Sequence, residues 1–350
     1  MKSYQVAEFG APLRAAERPN PQPTGAQVLL KVRAAGVCHS DLHIWEGGYD
    51  LGHGRRLSLQ DRGIALPLTM GHETVGEVAA VGPEAEGVKP GEVRLVYPWI
   101  GCGTCRVCRS GNENLCAAPR FLGVHCDGGY ADHILVPHPR YLLDLAGLDP
   151  VTAAPYACSG LTTYSALRKV ADVMAEEPIL VIGAGGLGLM CLALLKALDG
   201  VGAVVVDIDS RKREAALAAG ALAAVDGTAP DAVTQVVRAA GGPVRAAIDL
   251  VGSPQTAALG FDALAKGGKL VVVGLFGGAA PWALPFIPMK AATIQGSYVG
   301  NLAELQELLD LVRRKAVPPI PVTPRPLDQA TDTLETLQRG ELVGRAVLTP

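Results

Sequence analysis

Residues 178–189 read PILVIGAGGLGL, and this stretch indicates how the second half of the chain folds. Gly183, Gly185 and Gly188 match the pattern G-x-G-x-x-G between a short apolar run and a longer one. The first glycine permits a tight turn, the second lets the backbone approach a pyrophosphate, and the third lets a helix pack closely on a strand. The start of that helix would offer N–H donors to phosphate groups. The stretch therefore predicts a dinucleotide site at a strand–turn–helix junction.

Apolar strands alternate with helical segments from about residue 155 onward. The strand candidates are PILVIG, GAVVVDI, AAIDLVG and KLVVVGL, and the helical segments are SRKREAALAAG, DAVTQVVRAAG and SPQTAALGFDALAKGG. Continuous apolar strands that alternate with helices are typical of a parallel sheet covered on both faces. We therefore expect an α/β fold, with a doubly wound parallel-sheet cofactor domain of the Rossmann type over residues 155–291.

Asp207 ends the second of these strands, GAVVVDI. An acidic side chain at this place accepts hydrogen bonds from the adenosine ribose hydroxyls of NAD and would repel the additional phosphate of NADP. Arg211, Lys212 and Arg213 follow closely and would offset part of that repulsion. We expect NAD(H) as the cofactor.

The composition favours a globular protein with a large core. Hydrophobic residues make up 49% of the 350 residues, and the net charge is −3. This length suits about two domains, and without a run of like charges we expect neither a nucleic-acid nor a membrane partner. The first residues, MKSYQVAEFG, lack the apolar core of a signal peptide, so we expect a cytoplasmic protein. The apolar run 179–198 has the length of a membrane span, but its glycines assign the first half of it to the strand and turn.

Short β-type runs separated by turn residues fill the first half of the chain. The runs are QVLLKVRAAGV, GHETVGEVAAVG, GEVRLVYPWI and ADHILVP, which predict an antiparallel β domain. Residues 47–67 show little periodicity and predict a long loop, which in a compact domain is usually functional or mobile. Near the carboxyl end, NLAELQELLDLVRRK predicts an amphipathic helix, with Asn301 as its cap and Glu304 in the capping-box position.

Four cysteines lie close together in GCGTCRVCRSGNENLC, residues 101–116. They are Cys102, Cys105, Cys108 and Cys116, in the spacing C-x₂-C-x₂-C-x₇-C. Four thiolates fill the tetrahedral shell of zinc and leave no open position, which is typical of a structural site. An iron–sulfur cluster is the alternative, but its signature places the fourth cysteine after three residues and before a proline. The spacing therefore favours structural zinc.

A second set of metal-ligand residue types is scattered along the chain. GVCHSDLH contains Cys38, and GHETVGEV contains His72. A catalytic zinc needs three protein ligands and an open position. Cys38 and His72 could supply two of them, but spacing alone does not choose the third. The candidates for it are Cys158, Cys126, His125, Cys191 and His138.

Taken together, these motifs resemble a known family. GVCHSDLH, GHETVGEVAAVG, the four-cysteine segment and VIGAGGLG, in this order, are similar to the zinc-dependent alcohol dehydrogenases of the medium-chain dehydrogenase/reductase superfamily. The likeness covers essentially the whole chain, including GSYVGN and GRAVL, and is strongest to the yeast and bacterial NAD-dependent branch. It implies a mostly β GroES-like catalytic domain over residues 1–154 and 292–350, with a structural zinc lobe at about 98–120. It also implies a homotetramer or a homodimer.

The resemblance implies an activity and two zinc ions per chain. The activity is reversible oxidation of primary or secondary alcohols to aldehydes or ketones, by hydride transfer to NAD. The ligands of the catalytic zinc would be Cys38, His72 and Cys158. The ligands of the structural zinc would be Cys102, Cys105, Cys108 and Cys116.

The resemblance also implies roles for residues beside the metal. Ser40 would hydrogen-bond the substrate oxygen, and His43 would carry the proton to solvent. Glu73 would approach the metal during ligand exchange, and Asp41 would orient His72.

Further residues would contact the cofactor or the substrate. The cofactor contacts would be His39, Gly183, Gly185, Gly186, Leu187, Gly188, Asp207, Lys212, Val251, Gly274, Leu275, Ser297 and Arg345. The candidates to line the substrate pocket are Trp45, Tyr49, Trp99, Leu275 and Tyr298.

Two other functions remain open at this point. A polyol or sugar-alcohol dehydrogenase would use the same scaffold, but in that branch a glutamate typically replaces the cysteine at position 158. A regulatory protein that kept the fold would not need the intact metal and glycine motifs.

One departure from the family concerns substrate specificity. Cys38 and His72 lie further apart than in the yeast-like type, and the additional residues fall in the predicted loop 47–67. We expect that loop to border a reshaped substrate pocket.

Overall fold

The computed structural model describes residues 1–280 and 282–350. Ten strands and three helices form its amino-terminal part. The strands are β1 (Lys2–Val6), β2 (Arg14–Glu17), β3 (Val28–Val37), β4 (Gly48–Gly52), β5 (Arg55–Ser58), β6 (Leu68–Thr69), β7 (Glu73–Val81), β8 (Val93–Val96), β9 (His133–Val136) and β10 (Leu142–Asp144). The helices are α1 (His39–Glu46), α2 (Arg106–Arg109) and α3 (Pro150–Ala153).

The middle of the chain alternates strands and helices. The helices are α4 (Ser159–Arg168), α5 (Ala171–Met174), α6 (Gly186–Ala197), α7 (Ser210–Ala218), α8 (Ala232–Ala239), α9 (Pro254–Asp262) and α10 (Phe286–Lys290). The strands are β11 (Ile179–Ile182), β12 (Ala203–Asp207), β13 (Ala223–Asp226), β14 (Val244–Asp249), β15 (Leu264–Val272) and β16 (Thr293–Gly296). The chain ends with α11 (Leu302–Lys315), β17 (Val322–Pro326), α12 (Ala330–Gln338) and β18 (Arg345–Thr349).

Strands β11 to β16 form one parallel sheet in the order β13-β12-β11-β14-β15-β16. In their own sequence this is the order 3-2-1-4-5-6 of a doubly wound dinucleotide-binding sheet. The chain reverses direction between β11 and β14, and in such sheets ligands bind at the carboxyl ends of the strands beside that reversal. The expected Rossmann-type domain is therefore confirmed.

No helix within residues 1–280 and 282–350 is long and apolar enough to cross a membrane. The apolar run 179–198 divides into β11, a turn and α6.

The carboxyl edge of the cofactor half differs from the expectation. Strand β16 pairs with β15 in parallel, so the sheet continues to Gly296, past the boundary at residue 291 that the sequence predicts. The sequence of β16, TIQG, is too short and too polar to stand out as a strand. Helix α11 follows and packs on α4, and Asn301 and Glu304 form the expected capping box.

Strand β3 is the centre of the amino-terminal sheet. It pairs antiparallel with β7 and β9, and β18 returns from the carboxyl end of the chain to pair with it as well. The order β10-β8-β7-β3-β18-β17 confirms the expected β domain and its carboxy-terminal contribution.

The predicted loop 47–67 contains an antiparallel hairpin, β4–β5, in which Tyr49 lies opposite Leu57. The expectation of a structureless loop is therefore wrong, because GYDLG and RRLS are too short and polar to show the strand period. The hairpin reaches the cofactor half, where the amide of Gly278 donates to the carbonyl oxygen of Asp50 at 3.0 Å.

Two glycines of this hairpin make a matched test of its docking. Gly52 (φ 76°) and Gly54 (φ 72°) both have left-handed backbones, where an alanine costs about 1 kcal/mol. A Cβ on Gly52 would lie 2.9 Å from the amide nitrogen of Ala279, whereas one on Gly54 meets no described atom within 4 Å. We expect Gly52→Ala to separate the hairpin from residues 277–279 and Gly54→Ala to leave it docked. Hydrogen exchange at the Gly278 amide measures this, and equal exchange in the two variants would contradict it.

Candidate functional site

Four ligand-type side chains meet at the end of β3. They are Cys38, His72, Glu73 and Cys158, all buried, and their ligand atoms lie within 4.8 Å of one another. Cys38 follows β3, while His72 and Glu73 stand at the start of β7. Because β3 pairs with β7, with Gly36 opposite Glu73, these side chains are neighbours in space.

Cys158 is the third ligand candidate that the fold brings to this cluster. It precedes α4, and its Sγ lies 3.8 Å from the Sγ of Cys38. Cys191 is instead buried in α6, and the ring of His138 accepts a hydrogen bond from the Arg140 amide.

Asp41 fixes the orientation of the cluster. One carboxylate oxygen accepts from the Cys38 amide at 2.9 Å and from the Tyr130 hydroxyl at 3.0 Å. The other lies 3.2 Å from Nδ1 of His72. Burial alone would lower the pKa of His72, but the neighbouring Asp41 carboxylate and Cys38 raise it well above its usual value. Nε2 of His72 has no hydrogen-bond partner among residues 1–280 and 282–350, so this buried nitrogen can serve as a metal ligand.

The donor set fits zinc. The hydrogen bond with Cys158 lowers the pKa of Cys38 well below the usual range, and the same contact, together with burial, raises the pKa of Cys158. Without a metal ion, such a pair therefore favours one thiolate and one protonated thiol. A bound divalent cation would stabilise both thiolates. Two sulfurs and one imidazole nitrogen leave the fourth tetrahedral position open, which is typical of catalytic zinc.

Glu73 and Arg345 form a buried ion pair beside the cluster. Burial raises the pKa of Glu73 to about 7, although the Arg345 guanidinium opposes this shift. Nη2 of Arg345 lies 3.3 Å from the Glu73 carboxylate, and Nη1 donates to the Val37 carbonyl oxygen at 3.3 Å. A Cβ on Gly186 would lie 3.3 Å from Nε of Arg345. This guanidinium therefore lies between the metal cluster and the glycine-rich turn.

The four-cysteine lobe is a second, separate cluster. Its sulfur atoms lie within 4.8 Å of one another, with 3.4 Å between Cys105 and Cys108. Backbone amides point at the sulfurs, including those of Cys105 onto Cys102 and of Cys108 onto Cys105, each at 3.4 Å. Four sulfurs, three of which also accept amide hydrogen bonds, suit a closed tetrahedral site with no place for substrate.

A buried carboxylate attaches this lobe to the β sheet. Glu113 accepts hydrogen bonds from the Gly101 amide at 3.0 Å, from the Tyr141 hydroxyl at 2.8 Å and from the Arg140 guanidinium at 2.7 Å. Because each of these partners is an N–H or O–H donor, the buried charge of Glu113 is compensated.

The glycine-rich turn joins β11 to α6 at the reversal of the sheet. Gly183 has φ 99°, a conformation that glycine adopts without strain. Gly188 packs so tightly against the Gly183 carbonyl that no Cβ would fit there. The Asp207 carboxylate accepts hydrogen bonds from the Ala184 amide at 2.7 Å and from the Asp209 amide at 2.9 Å. The turn and the acidic side chain at the end of β12 are thus one unit.

The basic residues that follow Asp207 have acidic partners of their own. Arg211 pairs with Asp209 at 2.7 Å, and Arg213 pairs with Asp226 at 3.2 Å. These contacts weaken any attraction of the two guanidinium groups for an additional phosphate, while Lys212 lies half-buried nearby.

Most of the other predicted cofactor residues follow the carboxyl ends of β14, β15 and β16. Gly274 contacts the Val251 backbone too closely for a Cβ, and Leu275, 42% exposed, follows it. The Ser297 amide donates to the Val272 carbonyl at 2.9 Å, and the buried Ser297 hydroxyl makes no hydrogen bond to any described residue. His39 is exposed at the start of α1, and Leu187 is half-buried in α6.

Ser40 and His43 are half-buried on α1, directly after Cys38. The His43 ring lies 4.6 Å from the Tyr49 ring of the hairpin. Burial lowers the pKa of His43, which therefore is neutral and able to accept a proton at pH 7.

A chain of packed aromatic rings starts at His72 of the metal cluster. The Trp99 ring centre lies 5.2 Å from that of His72, 5.3 Å from that of Phe121 and 6.5 Å from that of Tyr298. Phe121 also packs on His125 at 5.3 Å. Sequence analysis missed Phe121 and considered His125 only as a ligand, because nothing in local spacing places this segment beside Trp99.

Trp45 differs from the other pocket candidates. Its indole N–H donates to the Ala11 carbonyl oxygen at 2.6 Å, and only 6% of the residue is exposed. It packs against the amino-terminal segment, and its assignment to the pocket stays a prediction.

Comparisons with known proteins agree with this geometry. Residues 24–146 match the family model of the alcohol dehydrogenase GroES-like domain, and residues 186–314 match that of zinc-binding dehydrogenases. The chain is 40% identical to an NAD-dependent alcohol dehydrogenase of Sulfurisphaera tokodaii and 39% identical to one of Saccharolobus solfataricus, with 100% of each chain covered. The crystal structure of an alcohol dehydrogenase from Aeropyrum pernix superposes with a TM-score of 0.90 at 32% identity, covering 100% of both chains.

The two clusters predict a defined metal content. We expect elemental analysis to find close to two zinc ions per chain, one for each cluster. Cys38→Ala should lower this to about one without unfolding the protein, since the lobe is intact. Cys105→Ser should also lose one ion and reduce the melting temperature, because a structural site contributes folding energy. Cys191→Ala, which removes a buried thiol from α6, is the control and should keep both ions.

Proposed function

Because this chain belongs to the zinc-binding alcohol dehydrogenases, we propose that its buried cluster is the catalytic centre of an enzyme that interconverts alcohols with aldehydes or ketones using NAD(H). The observation that carries the proposal is the position of Arg345, which contacts Glu73 beside the cluster and lies against the glycine-rich turn. The metal cluster and the dinucleotide turn thus adjoin one crevice. The β domain supplies the first and the parallel sheet the second.

Cys38, His72 and Cys158 would hold the catalytic zinc in this proposal, and the four-cysteine lobe would hold the structural one. When bound, the zinc supplies a Lewis acid that polarises the substrate oxygen, and NAD(H) accepts or gives the hydride. Asp41 keeps the His72 ring oriented so that Nε2 faces the ligand position. Glu73 lies within reach of the metal and would support exchange of its fourth ligand.

Ser40 and His43 would move the proton. The Ser40 hydroxyl hydrogen-bonds the substrate oxygen, and neutral His43 accepts the proton during oxidation and passes it to solvent. This assignment is supported by the half-buried position of both side chains on α1 and by the lowered pKa of His43.

Asp207 would hold the adenosine ribose, with Arg345 and the start of α6 at the pyrophosphate. A carboxylate has about four lone-pair sites, so Asp207 can accept from a ribose hydroxyl while it keeps its two amide partners. His39, Leu187, Lys212, Val251, Gly274, Leu275 and Ser297 would complete the cofactor crevice.

The substrate would be a primary or secondary alcohol with an apolar substituent. Tyr49, Trp99 and Tyr298, with Phe121 behind them, offer ring surfaces near the cluster, and Leu275 would close the pocket from the cofactor side. Such a lining favours an apolar substrate over a polyol, because few groups in it can pair with additional hydroxyls.

We also propose that the enzyme is a cytoplasmic homotetramer or homodimer. Six cysteines placed as zinc ligands require reduced thiols, which the cytoplasm maintains. Leu284, Phe286 and Met289 are exposed apolar side chains close together in sequence, a feature typical of subunit interfaces.

A panel of alcohols and carbonyl compounds, assayed by nicotinamide absorbance with NAD and with NADP, tests the activity and the cofactor. We expect turnover of apolar primary or secondary alcohols with NAD preferred. Asp207→Ser should lower kcat/KM for NAD by about 30-fold, since a hydrogen bond to a charged group contributes about 2 kcal/mol. Asp231→Ser, an exposed substitution at the N-cap of α8, is the control. An unchanged NAD preference in Asp207→Ser would contradict this role.

The pH profile tests the proton path. Because burial lowers the pKa of His43, alcohol oxidation should persist below pH 6.5 and fall only as pH drops through that lowered pKa and His43 becomes charged. We expect His43→Gln to remove this acidic limb and to slow oxidation at neutral pH by up to about 100-fold. Retention of the same limb in His43→Gln would assign it to another group.

A further inference from the structure

The four-cysteine lobe makes specific contacts with residues 298–301, the segment between β16 and α11. The buried side chain of Asn114 donates from Nδ2 to the Tyr298 carbonyl oxygen at 3.0 Å. The side chain of Asn301 donates from Nδ2 to Oδ1 of Asn112 at 3.1 Å. These two hydrogen bonds connect the lobe to a segment more than 180 positions later in the chain.

The same segment is held tightly from its other side. The Tyr97 hydroxyl donates to the Gly300 carbonyl oxygen at 3.1 Å. A Cβ on Gly300 would lie 2.6 Å from Cδ1 of Leu161, on the helix that follows Cys158. Between these fixed points Val299 has φ 42°, a left-handed backbone that is strained for a β-branched residue. A strained backbone persists only where surrounding contacts over-determine it, and here the lobe supplies part of those contacts.

The side chain at the start of this segment belongs to the pocket wall. The Tyr298 ring is 6.5 Å from Trp99 and 6.4 Å from Phe121, and Trp99 in turn packs on His72. Tyr298 is 45% exposed, while its carbonyl oxygen is fixed by Asn114. The backbone hydrogen bond therefore sets where this ring stands relative to the cluster.

We propose that the four-cysteine lobe determines substrate selectivity, because Asn114 fixes the backbone of Tyr298 and thereby the width of the substrate pocket. The proposal rests on the function proposed above. Asn114 is a positioning residue: it acts through Tyr298 and does not itself touch the reacting atoms. The alternative is that the lobe only stabilises the fold, in which case loss of this hydrogen bond lowers stability equally for all substrates.

The test compares Asn114→Ala with Ser110→Ala. Ser110 is an exposed lobe residue whose hydroxyl donates to the Val107 carbonyl oxygen and accepts from Nδ2 of Asn112. Its loss leaves the Asn112–Asn301 contact in place, because that contact is made through Oδ1 of Asn112. For each variant we would measure kcat and KM for a bulky secondary alcohol, 1-phenylethanol, and for a small one, 2-propanol. Loss of one hydrogen bond predicts about a fivefold change in the ratio of the two kcat/KM values, carried mainly by KM. Ser110→Ala should leave the ratio unchanged, and both variants should keep two zinc ions and the wild-type dissociation constant for NADH.

A double-mutant comparison isolates the path through the ring. In a Tyr298→Ala background, Asn114→Ala should change the selectivity ratio no further, whereas an independent effect of the lobe would persist. An unchanged ratio in Asn114→Ala, or an equal change in Ser110→Ala, would overturn the proposal. If Asn114→Ala fails to fold, Asn114→Asp keeps the size of the side chain, removes the amide donor and carries the same expectation.

A measurement independent of turnover separates this proposal from the proposed function. Hydrogen exchange over residues 298–301 should be faster in Asn114→Ala than in the wild type and in Ser110→Ala. Faster exchange in a protein that oxidises no alcohol of the panel would contradict the proposed function, but it would still support the positioning of Tyr298 by Asn114. Unchanged exchange in an active enzyme would overturn the inference alone.

Discussion

The pairing of β3 with its neighbours is the constraint on which the candidate site depends. Cys38 follows the end of β3, while β7 brings His72 and Glu73 alongside it. On the other edge β18 pairs with β3 and places Arg345 next to Val37. The Glu73 carboxylate occupies the space that a Cβ on Gly36 would need, so glycine at this position is a condition of the cluster. One strand thus joins residues from the beginning, the first third and the end of the chain.

The two metal clusters differ in what their donor sets leave free. In the lobe four sulfurs complete the coordination shell, and backbone amides already neutralise part of their charge. At the end of β3, two sulfurs and one imidazole would leave a position for a substrate oxygen, and Asp41 and Arg345 supply the surrounding charges. In the selectivity proposal, the closed shell also bears on chemistry through its contacts, because the lobe carries Asn114 to the backbone of Tyr298.

Local chemistry explains which parts could be predicted from the sequence. The glycine-rich turn, the four-cysteine spacing and the capping box of Asn301 are short patterns whose geometry is fixed within a few residues, and each was readable. Cys158 is 120 positions from Cys38, so its place in the cluster follows from tertiary packing and only the family resemblance singled it out. The hairpin β4–β5 and the edge strand β16 escaped prediction because their sequences are polar and short. Phe121 escaped prediction for a related reason: an aromatic residue shows no preference for core or pocket until the fold is known.

The cofactor role proposed for Asp207 is inseparable from the shape of the turn. A carboxylate that only repelled a phosphate could stand anywhere near the ribose. The Asp207 carboxylate, however, accepts a hydrogen bond from the Ala184 amide within the glycine-rich turn itself. The acidic side chain therefore helps to hold the backbone that the pyrophosphate approaches, and the two ends of the adenosine site are coupled through one hydrogen bond. The ion pairs of Arg211 and Arg213 also favour NAD, since each guanidinium is paired with an aspartate and neither is left to balance an additional phosphate. Preference for NAD is thus a property of the whole network around β12, which is why the single acidic residue was informative in the sequence but not sufficient to explain it.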